Sequence, residues 1–189
     1  ELLGSRKLDP ENELVIKRVI HTTADFDYAD NLTFSDHAVQ KGIAALKSGC
    51  DIVTDTQMAK AGINKTILAS LGGEVHCFMS DPDVAQEARS RGVTRAFVSM
   101  EKAAALEKPC IFAIGNAPTA LLSLEQLMEE GKATPALIIG VPVGFVNVEI
   151  SKERIIEKAR APYIVARGRK GGSNVAAAIC NALLYQIKR

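Results

Sequence analysis

Short apolar runs alternate with amphipathic helical stretches almost to the end of the chain, and this alternation constrains the fold more than any other feature. The runs fall at Asp51–Thr54, Val75–Met79, Ala96–Ser99, Cys110–Gly115, Leu137–Val141 and Tyr163–Ala166. Each is brief and nearly continuous, as expected of strands buried on both faces. Helical periodicity is clearest over 11–20, 83–91, 119–130, 152–160 and 174–187. A further helix is expected to start at Thr33, where Thr33 and Asp36 can form a capping box, and to end at Gly49. Asp81 and Pro82 suit the start of one helix, and Ser151 with Glu153 that of another. This order predicts an α/β fold, a mainly parallel sheet covered by helices on both faces. The 189 residues show no repeat and no Pro/Gly-rich linker, so a single domain over 1–189 is expected.

Hydrophobic residues make up 47% of the chain and aromatic residues 5%, with no Trp. That balance favours an aliphatic α/β core over a sandwich built on large rings. A chain of this size buries roughly 70% of its unfolded surface and needs no disulfide or metal to hold it. Cys50, Cys77, Cys110 and Cys180 form no CxxC pair and lack the His spacing of a zinc site, so buried free thiols are expected. A net charge of +1 gives no reason to expect nucleic acid. Without a signal peptide or an apolar run of about 18 residues, the chain reads as soluble and cytoplasmic, with no membrane contact. It begins at Glu1 rather than Met, which leaves room for a missing native N-terminus.

In parallel sheets the functional loops follow the C-terminal ends of strands, which directs attention to three segments. In Gly115-Asn116-Ala117-Pro118-Thr119-Ala120-Leu121, Asn116 can cap the helix that follows and Pro118 fits its first turn. Free amides at such a start would suit a carboxylate, although an ordinary capped turn would carry the same residues. In Arg167-Gly168-Arg169-Lys170-Gly171-Gly172-Ser173-Asn174, cations and glycines gather where a helix begins, the parts of an anion-binding loop. Neither the GxxxxGK[ST] nor the GxGxxG spacing is met, so neither a Walker A loop nor dinucleotide binding is supported. A flexible basic turn is the bland alternative. The third segment, Gly140-Val141-Pro142-Val143-Gly144-Phe145-Val146, is dense in apolar residues. It reads as a pocket wall, a subunit contact or a buried crossover.

His21 lies where the first helix should end, a position that favours the imidazolium and suits a general acid, or else a simple C-terminal cap. His37 reads as surface, and His76 as a satisfied residue of an apolar strand. Asp25, Asp27 and Asp30 match no calcium loop and read as a solvated acidic stretch. Ser5 and the other hydroxyl residues lack a nucleophile-elbow context, and no Ser/His/Asp or Cys/His set stands out.

Taken together, these segments resemble the precorrin-8X methylmutase family over nearly the whole chain. The matching pieces are Arg18-Val19-Ile20-His21-Thr22-Thr23-Ala24-Asp25, Asp55-Thr56-Gln57-Met58, Thr94-Arg95, GNAPTAL at 115–121, Pro135-Ala136-Leu137, GVPVGFV at 140–146 and GRKGGS at 168–173. Small departures are Ala59 after Met58 and Ala96 after Arg95. The resemblance implies a homodimer with a tetrapyrrole pocket near the subunit interface, and a methyl shift from C11 to C12 of precorrin-8X or cobalt-precorrin-8. It implies no redox cofactor, since the reaction is an isomerisation, and no metal ligands in the protein. It places the catalytic histidine at His21. Arg95, Asn116, Thr119, Gly168, Arg169, Lys170, Gly171, Gly172 and Ser173 are then the expected substrate-binding residues, as anchors for acidic arms. A non-catalytic corrinoid carrier and an enzyme acting on a phosphorylated metabolite are the competing readings.

Overall fold

The computed structural model describes residues 3–158 and 160–188. In chain order its elements are α1 (Glu13–Thr23), α2 (Tyr28–Asn31), β1 (Leu32–Phe34), α3 (Ala38–Lys47), β2 (Asp51–Thr54), α4 (Gln57–Gly62), α5 (Lys65–Ser70) and β3 (Val75–His76). There follow α6 (Pro82–Arg91), α7 (Arg95–Ala104), β4 (Cys110–Ile114), α8 (Pro118–Glu129), β5 (Leu137–Gly140), α9 (Val148–Lys158), β6 (Tyr163–Ala166) and α10 (Ser173–Ile187). The sheet order is β1-β6-β5-β4-β2-β3, parallel except for β1, which runs antiparallel to β6 at one edge.

Successive side chains of a strand point to opposite faces, and the core divides accordingly. Cys110, Phe112 and Ile114 of β4 face α7, α8 and α9, together with Val53, Ile138, Tyr163 and Val165. Ile111 and Ala113 face the other way, with Ile52, Leu137, Ile139 and Ile164, into a layer formed by α1, α3 and α10. Both faces of the central strands are therefore covered, which is why their runs are continuously apolar. All four cysteines are buried free thiols, and burial pushes Cys50 and Cys180 up to about 12 and Cys110 up to about 11. Such thiols are poor nucleophiles. Among the described residues, no helix is long and apolar enough to cross a membrane.

Four sequence expectations fail. Ala96–Ser99 belongs to α7, because Thr94 caps that helix by accepting the Phe97 amide and its apolar positions line one helical face. Thr33 does not open a helix: Leu32, Thr33 and Phe34 pair with Ala166, Val165 and Ile164 as strand β1, and α3 starts only at Ala38. The last stretch of the strand expected over Val75–Met79 also leaves the sheet after His76. Ser151 lies inside α9 rather than at its start, where its hydroxyl donates to the Val148 carbonyl. Position 159, within the helix expected over 152–160, lies outside the described residues.

Chain order and sheet order together locate the site. From β2 the chain crosses to α4 on one face, whereas from β4 it crosses to α8 on the other. Neighbouring parallel strands whose connections part in this way open a crevice beyond their C-terminal ends. The segments after β2, β4, β5 and β6 all emerge at this same edge.

Candidate functional site

Asp55, the first residue past β2, occupies the crevice. It is 1% exposed, and its carboxylate accepts the backbone N–H groups of Gly115 and Asn116 at 2.8 Å each and of Ala117 at 2.6 Å. Burial pushes the Asp55 carboxyl up, while the three N–H donors oppose that shift by favouring the ionised form. The amides at the start of α8, expected to be open to a substrate carboxylate, are thus already engaged by the protein's own anion. Asn116 does not cap that helix either: the cap position is Ala117, and Asn116 is exposed. The sequence shows Asp55 as part of a family motif but not this role; its place directly after an apolar strand is the signal that points to it.

The next residue, Thr56, caps α4 by accepting the Ala59 amide and shares a 2.7 Å hydrogen bond with the Ser173 hydroxyl at the start of α10. Gly115 allows this approach. A Cβ there would lie 2.7 Å from Ser173 Cα and 2.8 Å from the Gly172 carbonyl oxygen, both backbone atoms. Gly115→Ala is therefore expected to push the start of α10 from the crevice and to destabilise the fold by about 1–3 kcal/mol, read from its urea midpoint.

Arg169, Lys170 and their glycines form the loop entering α10. A Cβ on Gly171 would meet the Val141 carbonyl oxygen at 2.1 Å, and the neighbouring Gly172 amide donates to that oxygen at 2.9 Å. The loop therefore lies directly against the segment that follows β5. Its cations are not free: Arg169 Nε donates to Glu149 at 3.0 Å, and Lys170 Nζ bonds Asp25 at 2.7 Å and also Asp27. The Lys170 ammonium holds the Asp25 carboxyl below the usual range, and its own pKa is raised in return. Asp25 and Asp27 are thus not merely solvated. They tie the end of α1 to the glycine-rich loop across the chain, while Asp30 pairs with Arg6.

His21 stands exposed in the last turn of α1, which closes at a left-handed Ala24 whose amide returns to the Ile20 carbonyl. It borders a shallow open hollow with Leu14, Arg18, Ala182, Tyr185 and Gln186. The Arg18 guanidinium lies 4.9 Å from the centre of the Tyr185 ring, and the same pair borders an adjoining hollow with Asn174 and Asn181. Thr94 donates to Thr119 at 3.1 Å, joining the starts of α7 and α8. Arg95, next to Thr94, is exposed. The other histidines are occupied elsewhere: His37 bonds Glu11 at 2.8 Å, and His76 bonds Asp51 at 3.0 Å. In the segment after β5, Val141 is buried, while Val143, Phe145 and Val146 are 47%, 85% and 78% exposed, which excludes a buried crossover for its second half.

Fold and site define an α/β protein whose sheet carries, at its C-terminal edge, a buried carboxylate that holds the start of α8 and a basic, glycine-rich loop tied to the end of α1, the helix that bears His21. A family model described as precorrin-8X methylmutase matches residues 1–186. A cobalt-precorrin-8 methylmutase of Salmonella typhimurium is 50% identical, covering 97% of this chain and 85% of that protein. The one from Priestia megaterium is 46% identical over 97% and 81%. The crystal structure of a precorrin-8X methylmutase from Thermus thermophilus superposes with a TM-score of 0.87 at 38% identity, covering 97% of this chain and 90% of that one. The chain belongs to the precorrin-8X methylmutase family, whose members are isomerases. A carrier without catalysis gains no support from these relatives.

Proposed function

We propose that the protein is an isomerase of cobalamin biosynthesis that moves a methyl group from C11 to C12 of the precorrin-8 macrocycle, giving hydrogenobyrinate or cobyrinate. Its membership of the methylmutase family over residues 1–186 carries this reading. The C11–methyl bond breaks as the C12–methyl bond forms, so no electrons are gained or lost and no redox partner is needed. His21 acts as the acid, protonating or hydrogen-bonding a ring nitrogen and drawing electron density from the conjugated system as the methyl migrates. Its exposed place at the end of α1 supports this role, because a side chain meeting a large flat ligand must stand clear of the core.

The acidic arms of the macrocycle are held by Arg95 and by the loop of Gly168, Arg169, Lys170, Gly171, Gly172 and Ser173, with Asn116 and Thr119 at the near end of α8. Asn116 contributes through its exposed side chain, since its amide is committed to Asp55. Lys170 and Arg169 are held ready by carboxylates that an incoming acidic arm would have to displace or share.

The active form is a homodimer in the cytoplasm. Exposed Val143, Phe145 and Val146 support the dimer, since a second copy would cover this apolar surface. The relatives at 50% and 46% identity carry the cobalt form in their names, which favours the cobalt-containing substrate. Incubation with each pigment, followed by chromatographic separation of the isomers, tests the reading. Conversion of at least one, faster for cobalt-precorrin-8, is expected. Failure to convert either pigment under conditions where both bind would refute it.

A further inference from the structure

Lys152, on α9, is 0% exposed, the only lysine among the buried described residues. Its Nζ reaches the glycine-rich loop and donates to the Gly168 carbonyl at 2.7 Å and the Lys170 carbonyl at 2.9 Å. Its helix neighbours face the same loop. Glu149 accepts from Arg169, and Glu153 accepts from Arg167 at 3.0 and 2.7 Å. Residues 149, 152 and 153 share one helical face, so this face of α9 moulds residues 167–170. The carbonyl between the two held by Lys152, that of Arg169, accepts the Gly144 amide at 3.2 Å.

A trans peptide sets its N–H opposite its C=O. With the carbonyls of Gly168 and Lys170 drawn to one ammonium, the N–H groups of Arg169 and Gly171 point away from it. A loop that receives carboxylates needs this arrangement, because an outward carbonyl would repel the incoming oxygens. Burying a lysine for packing alone is unfavourable when an apolar side chain would fill the space. Burial indeed pulls the Lys152 ammonium down to about 8, against the opposing pull of Glu149 and Glu153.

We propose that Lys152 is a positioning residue for substrate binding, turning the amides of Arg169 and Gly171 toward the acidic arms of the substrate without touching it. The inference rests on the methylmutase reading of the loop. Lys152→Met retains the bulk and removes the donors, while Lys152→Arg and Lys152→Gln restore some of them. In the 189-residue chain, Lys152→Met is expected to raise KM about tenfold or more while kcat stays within about threefold, with part of the KM rise reversed in Lys152→Arg or Lys152→Gln. Trypsin should also cut the Met variant after Arg169 or Lys170 faster than the parent, with little change elsewhere.

An unchanged KM in a folded variant, or a fall in kcat alone, would overturn the positioning role. Should Lys152→Met not fold, the Arg and Gln variants are judged by the same KM criterion. The two ideas fail separately. A parent protein that leaves the pigment unbound removes both the methylmutase reading and this role, whereas normal parental turnover with unaltered KM in the variants removes the role alone.

Discussion

Replacement of His21 by alanine is expected to lower turnover of the macrocycle by about 10²–10⁴-fold while pigment binding stays within a fewfold of the parent. The two effects separate because the proposed anchors lie on other elements, Arg95 on α7 and residues 168–173 at the entry to α10, whereas His21 is an exposed group at the end of α1. The same exposure means that the substitution removes little packing, so the fold should hold and the melting temperature should stay within a few degrees. Stopped-flow or steady-state absorbance, with binding measured by pigment titration, provides both quantities. A variant that turns over normally whatever it binds would remove His21 from the chemistry, and one that folds but no longer binds would make it an anchor instead.

The second large effect is on stability. Asp55→Asn is expected to cost about 2–4 kcal/mol, seen as a Tm lower by roughly 4–16 °C for a domain of this size. The parent carboxylate serves three amides, one on Oδ1 and two on Oδ2. An asparagine offers one acceptor oxygen, so its NH2 must face at least one backbone N–H in a site that is 1% exposed. Neither group can then reach water, and the start of α8 must shift to relieve the clash. Differential scanning calorimetry measures the loss. A Tm within about 2 °C of the parent would mean that the three bonds contribute little, and that the crevice is held by the packing of Gly115 on α10 instead.

The central sheet is legible because four parallel strands buried on both faces each leave a short, nearly continuous apolar run. Elsewhere local sequence signals point away from the structure because their long-range partners decide the outcome. Thr33 and Asp36 have the spacing of a cap, but the pairing of Leu32–Phe34 with β6 is decided by residues far along the chain. Ala96–Ser99 is too short for its period to be assigned, and only with Met100 and Ala103 does the buried face become helical. In the site, the glycines and cations of 168–173 announced themselves by type and place. Asp55 and Lys152 did not: the first takes its partners about sixty residues ahead, and the second sits among Ser, Glu and Arg like any solvated helix cation. The link from Lys170 to Asp25 and Asp27 was hidden for the same reason, since it spans 145 and 143 residues.

The most direct test is a visible absorption spectrum of the purified protein mixed with cobalt-precorrin-8 and, separately, with the metal-free pigment. Moving the methyl from C11 to C12 makes C11 trigonal and extends the conjugation, so catalysis must change the colour. The expected result is a shift toward the corrin product whose rate scales with protein concentration and which the His21→Ala variant nearly abolishes. A pigment that binds and keeps its original spectrum would contradict it and make the protein a carrier.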